Sequence, residues 1–316
     1  MSGIHVSRFA SALGSVRQSV EQAEAAGQIF SPAAALRDAG FDTHHVCAAD
    51  ESGYSLAVKA AVASGIEPAT IDAIVYSTCL PVSGNLGRTA AFEQSGDVKH
   101  LMQFPASELQ AELGMQRAFV IGLNQQACTG MLGALRIARN LLRAEADLAN
   151  VLCVTADRFP PGARYEQAFN LISDGAAACL VSRDRQGLEL LDVHHITNGA
   201  MALASDEETA ASYFNYCCRL VDEVLQRQGL RLSDIRRVVP QNTNRRAWKI
   251  LKKLLGVTAG QDWCPSITGC GHVISADNVI NLQRLCEEAP LARGDKVLTF
   301  MAGYGSNWQC ALLEAS

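Results

Sequence analysis

Short apolar runs alternate along this chain with polar turns and with stretches of helical period. Ala118 to Leu123 is one such run and reads as a buried strand. A polar turn, Asn124 to Ala127, leads from it into a helix starting at Cys128. Gly130, Gly133 and Ala134 lie on the first turns of that helix and let it pack closely on a neighbour. Ser52 to Ser64 has helical period and stops at Gly65. Asp72 to Thr78 is a strand that runs into a loop at Pro81 to Gly87. Phe104 to Gly114 is a helix, with Pro105 near its start and Gly114 at its end. Val151 to Ala156 and Asp174 to Ser182 are further strands, separated by an irregular loop from Phe159 to Phe169. Nearer the N-terminus, Val16 to Ala26 and Pro32 to Ala39 read as helices, with Asp42 to Cys47 as a polar connector.

The second part of the chain repeats this plan. Gly65 to Val75 aligns with Gly229 to Val239, each a helix end at Gly, a capped turn and a strand. Asn150 to Ala156 likewise matches Lys296 to Ala302. Two α/β halves of similar order imply an internal duplication packed into one layered body. The charged turn Arg183 to Gly187 marks the boundary, which gives halves of 1–185 and 186–316.

Composition narrows the class. The chain has 316 residues, 48% hydrophobic and 19% charged, enough for a large core. No apolar run is long enough to span a bilayer. Met1 to Gln18 lacks the apolar centre of a signal peptide, so the expected location is cytoplasmic. A formal net charge of −5 argues against general nucleic-acid binding. The 11 cysteines form no CxxC pair and no zinc-type spacing, so they read as reduced thiols, mostly in the core, with no metal site. Cys128 differs in its placement. A thiol where turn becomes helix feels the positive end of the helix dipole, which is expected to lower its pKa. The competing reading is an inert core thiol.

Several segments together carry a family resemblance. They are Gly65 to Thr78, Phe104 to Gly114, Ala127-Cys-Thr-Gly130, Ser173-Asp-Gly-Ala-Ala177, Val239 to Arg246, Gly271-His272, and Gly303-Tyr-Gly-Ser-Asn-Trp308. In order and spacing the chain resembles the thiolase-fold condensing enzymes of the 3-oxoacyl-(acyl carrier protein) synthase III type. The resemblance implies a five-layer αβαβα fold built from two duplicated halves, and a homodimer. It also implies that Cys128 takes an acyl group from coenzyme A or a carrier protein, with no cofactor beyond that substrate. The second oxyanion donor falls at Gly305, beside the amide of Cys128 itself.

The departures from the family pattern redirect the chemistry. The family has His-Gln-Ala-Asn after Val-Pro, where this chain has Gln241-Asn242-Thr243-Asn244. The family's catalytic Asn after Gly is here His272, followed by Asp277. That arrangement resembles the Cys-His-Asp subgroup of acyltransferases and starter-unit enzymes in natural-product pathways. A thiol nucleophile needs a base, and an imidazole serves best when a carboxylate fixes its tautomer. Of the 7 histidines, His272 alone lies in a small-residue turn before a helix; the others, such as His5, His44, His194 and His195, sit in polar or terminal contexts. His272 also falls where the duplicated plan puts the counterpart of the nucleophile turn. Asp277 has a competing reading as a first-turn acid.

Gln241, Asn242 and Asn244 are auxiliary candidates: Gln241 can donate a hydrogen bond but cannot shuttle a proton at neutral pH, and Asn242, Asn244 and His272 together can rebuild an enolate site. The helix from Arg245 to Leu255 buries Trp248, Leu251 and Leu255 and turns Arg245, Arg246, Lys249, Lys252 and Lys253 outward. The resemblance implies that this helix docks an acidic carrier protein or coenzyme A, and its alternative is a solvated face. The expected function is acyl transfer from Cys128 to a hydroxyl, amine or thiol in secondary metabolism. Decarboxylative carbon–carbon condensation and a non-catalytic subunit of a heteromeric synthase are the alternatives.

Overall fold

The computed structural model describes residues 3–316 apart from 85, 169 and 305, together with all side chains of those residues except some within 202–211. In chain order the main elements are β1 (His5–Leu13), α1 (Gly53–Ala63), β2 (Ala73–Ser77), β3 (Phe119–Leu123), α2 (Gly130–Ala144), β4 (Asn150–Asp157) and β5 (Gly175–Ser182). The second half holds β6 (Leu188–Thr197), α3 (Asp206–Arg227), β7 (Ile235–Val239), α4 (Arg245–Leu255), α5 (Asp277–Glu288), β8 (Lys296–Gly303) and β9 (Asn307–Ala315).

The strands join in one nine-stranded sheet, in the order β7-β8-β9-β6-β1-β5-β4-β2-β3. The join between its halves is narrow, since β1 meets β6 only at His5↔Glu189 and Val6↔Leu188. On either side the pairing is the same. In the first half β2 runs parallel to β4, β4 antiparallel to β5, and β5 antiparallel to β1. In the second half β7 runs parallel to β8, β8 antiparallel to β9, and β9 antiparallel to β6. The turn at 183–187 separates β5 from β6.

Helices complete five layers. α1 covers the outer face of the first half-sheet, and α3 covers that of the second with α4 against it. Between the half-sheets lie α2, packed on β2, β4, β6 and β9, and α5, packed on β1, β5, β7 and β8. Residues of α2 such as Leu132, Leu135 and Leu142 are buried on this middle core. The turns that enter the two middle helices pack on each other. This α/β arrangement is the thiolase-like fold.

Several local expectations are corrected. Val16 to Ala26 is a strand, Val16–Ser19, followed by a helix over only Val20–Ala25. Asp42 to Cys47 is no plain connector, because Thr43–Val46 pairs with that strand. The polar His44 is buried there, with its ring bonded to the Ile172 carbonyl and to Gln18. His5 is buried in the middle of the sheet as well. β3 is an edge strand, and its Phe119 is exposed. The loop after Phe159 contains a short strand, Glu166–Gln167, paired with Asn170–Leu171. For the strand Val16–Ser19 and for His44, partners distant in sequence decide what the local pattern leaves open.

Candidate active site

The turn that carries Cys128 forms where β3 passes into α2. Ala127 adopts φ 45°, a left-handed conformation uncommon for a residue with a side chain. Ala127–Thr129 form one 3₁₀ turn, and α2 proper begins at Gly130, two residues later than the sequence pattern puts it. The turn is clamped from β9: Gln309 Nε2 donates to Gln126 Oε1 at 3.0 Å and to Thr129 Oγ1 at 3.1 Å. Gly303, at the end of β8, lies so close that a Cβ there would sit 3.1 Å from the Cys128 nitrogen. A side chain at Gly130 would be crowded too, since its Cβ would stand 3.1 Å from the Cβ of Ser77 and 3.3 Å from Ser275 Oγ.

Cys128 is 5% exposed. Its thiol pKa is pushed well up, first by the Cys79 thiol beside it, then by burial, then by the carboxylates of Asp277 and Asp157. The expectation that the helix dipole lowers it is therefore overturned. A thiol pushed up in this way gives up its proton less readily than a free one.

His272, the base expected from the sequence, is built on the second half. Gly271 takes φ 61° with its Cα pressed toward the Leu171 carbonyl, where a Cβ would come within 2.6 Å. That tight turn lets the His272 amide donate to the Leu171 carbonyl at 2.8 Å, while the Ser173 amide donates to the His272 carbonyl at 2.9 Å. The imidazole is 4% exposed. Its Nδ1 lies 2.5 Å from Asp277 Oδ2. A carboxylate is an acceptor only, so Nδ1 carries the proton and Nε2 is left with the lone pair. Asp277 is fully buried at the start of α5 and is held by two further donors, the Val273 amide at 2.6 Å and the Asn242 amide at 2.8 Å. Asp277 is thus a first-turn acid and the imidazole's partner at once. The turns 127–129 and 274–276 pack on each other, with Ser275 Oγ donating to the Ala127 carbonyl at 3.0 Å.

The auxiliary candidates separate by position. Gln241 Oε1 accepts the Ala302 amide at 2.6 Å, which seats this side chain one residue from the glycine that abuts Cys128. The Asn242 side chain is consumed by structure: its Nδ2 donates to Ser266 Oγ and the Gly271 carbonyl, and its Oδ1 accepts from Asn281. Asn244 caps α4 through the Arg246 amide. Gly305 lies outside the described residues. On α4, Arg245, Arg246, Lys249 and Lys253 are exposed. Lys252 is not turned outward, because Asp262, 2.9 Å away, draws it against the body.

Sequence reasoning passed over Cys79, Gln309, Ser275 and the Asn242 amide. Only Ser275 left a signal: it precedes Lys296 by nearly the interval that separates Cys128 from Asn150. It is Ser275, and not His272, that occupies the second half's counterpart of the nucleophile position. Among the described residues no His, Cys, Asp and Glu cluster could hold a metal ion, and no helix is long and apolar enough to cross a membrane.

Residues 124–199 match 3-Oxoacyl-[acyl-carrier-protein (ACP)] synthase III, and residues 225–315 match its C-terminal region. The chain is 22% identical over 296 residues to Beta-ketoacyl-[acyl-carrier-protein] synthase III of Clostridium perfringens, covering 84% of this chain and 85% of that one. The crystal structure of 3-oxoacyl-[acyl-carrier-protein] synthase III from Aquifex aeolicus is similar with a TM-score of 0.78, at 20% identity, over 99% of this chain and 100% of that one. The structure of ChlB3, named as an acyltransferase, is similar with a TM-score of 0.82, at 21% identity, over 99% of this chain and 98% of that one. The two matched regions span more than half of the sequence and contain Cys128, His272 and Asp277, and on them the chain belongs to the 3-oxoacyl-[acyl-carrier-protein] synthase III family, enzymes that act through a cysteine thioester.

Proposed function

We propose that this protein is an acyltransferase that loads Cys128 from an acyl thioester and passes the acyl group to a heteroatom acceptor. His272 Nε2 takes the thiol proton, and the thiolate attacks the thioester carbonyl. The oxyanion of the tetrahedral intermediate is received by the Cys128 amide, with Gly305 as the second donor. His272 then returns the proton to the departing coenzyme A or phosphopantetheine thiol. In the second half-reaction His272 deprotonates a hydroxyl, amine or thiol, which attacks the acyl-enzyme and frees Cys128. Asp277 holds the imidazole in the reactive tautomer and stabilises its charged form.

The observation that carries this reading is the pairing of the imidazole with a buried carboxylate, Nδ1 to Oδ2 at 2.5 Å. That pairing equips His272 to move protons. Decarboxylative condensation asks for two groups that donate together to an enolate. Here the second position holds Gln241, a neutral amide whose oxygen already accepts the Ala302 amide. It has no charge and no titratable proton near neutral pH. The similarity to ChlB3 is in keeping with acyl transfer. Condensation is the second reading, favoured by the curated relatives, which are named β-ketoacyl synthases. A silent subunit has no use for a Cys128 turn packed on the 274–276 turn that separates His272 from Asp277.

The proposed donors are acyl-coenzyme A and an acyl carrier protein. α4 offers a surface for the latter, where exposed Arg246, Lys249 and Lys253 flank exposed Ile250 and Leu254. A homodimer is supported by the open edge of β3 and by nearby exposed apolar side chains, Phe104, Met102 and Phe119.

The test is intact-mass spectrometry with a panel of acyl thioesters, followed by addition of malonyl thioester. Wild type should gain one acyl mass, lost in Cys128→Ala, and should release neither carbon dioxide nor a 3-oxoacyl product. A Cys128-dependent 3-oxoacyl product at catalytic rates would make the protein a condensing enzyme. An unlabelled wild type beside a labelled partner chain would make it the silent subunit.

A further inference from the structure

Both middle helices are entered in the same unusual way. Ala127 stands at φ 45° before Cys128, and Ile274 stands at φ 49° before Ser275. Each opens a single 3₁₀ turn, Ala127–Thr129 and Ile274–Ala276, that runs into α2 or α5. For Ile, branched at Cβ, this backbone region is a true outlier that only surrounding contacts can hold. The two turns pack against each other. The hydrogen bond across that contact runs from Ser275 Oγ to the Ala127 carbonyl, 3.0 Å, and Ser275 is 1% exposed.

The carbonyl of Ala127 and the N–H of Cys128 belong to one peptide plane. In a trans peptide they point in opposite directions. A donor that fixes the carbonyl therefore fixes where the N–H points. The Gly130 amide, at the start of α2, also bonds this carbonyl. Ser275 adds an anchor from the other half of the molecule, and Gly303 leaves the nitrogen side uncrowded by any Cβ.

We infer that Ser275, the structural counterpart of Cys128, is a positioning residue that aims the Cys128 amide at the thioester oxygen through the Ala127 carbonyl. This rests on the acyl-enzyme reading above. It separates two steps that the same thiol performs. Alkylation by iodoacetamide needs the thiolate but no oxyanion donor, whereas acylation by a thioester needs both.

The experiment compares wild type, Ser275→Ala and Ser275→Thr, using iodoacetamide and acetyl-, hexanoyl- and decanoyl-coenzyme A. In Ser275→Ala the maximal single-turnover acylation rate should fall about tenfold, the scale of one misaligned hydrogen bond. The half-saturating donor concentration and the pH profile of alkylation should stay at wild-type values. A folded Ser275→Thr protein, which keeps the hydroxyl, should acylate within about threefold of wild type. Equal losses in alkylation and acylation, an unchanged acylation rate in Ser275→Ala, or a folded Ser275→Thr protein as slow as Ser275→Ala would each overturn the role of Ser275. A wild type that iodoacetamide labels but no thioester acylates would instead sink the acyl-enzyme reading.

Discussion

At Cys128 two opposing effects act on one sulfur. A helix N-terminus is worth about 0.3–1 kcal/mol to an anion, less than one pKa unit. Burial shifts of ionisable groups reach several units. Here Cys79, burial and the carboxylates of Asp277 and Asp157 all push the thiol up, so the dipole loses. The thiolate fraction then grows about tenfold per pH unit throughout the neutral range. Alkylation of Cys128 should rise steadily from about pH 7 to about pH 9, and a plateau there would show a preformed thiolate. In the proposed mechanism, acyl transfer escapes this limit through His272. His272→Ala should cut transfer by roughly 10²–10⁴ with the fold intact. Asp277→Asn should also slow it, and replacing His194 or His195 should do far less. Equal losses at all of these positions would remove His272 as the base.

At the scale of elements, buried acids staple the framework that carries the site. Glu51, just ahead of α1, accepts from the Ser15 amide at 2.9 Å, the Ala48 amide at 3.0 Å and Lys59 Nζ at 2.6 Å. It ties α1 to the end of β1. Burial alone would raise its pKa, but Lys59 and the amides outweigh that and hold the carboxyl at about 2. A depressed folded pKa contributes stability above the unfolded value, about 4.3, and loses it as pH falls through the folded one. Wild type should therefore lose on the order of 2 kcal/mol between about pH 5 and about pH 2 through this group. Glu51→Gln should be less stable near neutral pH and show a shallower fall into acid, as read from urea midpoints. Parallel acid curves for the two proteins would exclude the staple. The helix itself is plain in the sequence, from Ser52 as cap to the stop at Gly65, because local period and capping decide it. The short strand Val16–Ser19 is not, because its partner lies beyond two helices.

On the scale of the whole molecule, the formal net charge is −5, yet α4 presents Arg246, Lys249 and Lys253 around Ile250 and Leu254. An acidic carrier protein repelled by the bulk of the surface would be steered to that helix. Charge reversal at Lys249 and Lys253 should raise the half-saturating concentration of a carrier-bound donor about threefold to tenfold and spare a coenzyme A donor. Added salt should reproduce the effect, since exposed charges are screened. The same response from both donors would exclude carrier docking on this face. Lys252 should matter little to docking, being bound to Asp262.

Period, turn residues and motif order are local, and they determine the main strands and helices, the two-half plan, Cys128 at a helix entrance, and a His five residues before an Asp. The exposed edge of β3, the strand hidden in the N-terminal stretch and the burial of His5 and His44 depend on what packs against them. So do the raised thiol pKa, the Asn242 amide on Asp277 and the hydroxyl of Ser275 on the nucleophile turn. Those features join residues far apart in sequence through burial and single hydrogen bonds, and only the closed pair of half-sheets around α2 and α5 brings such partners within reach.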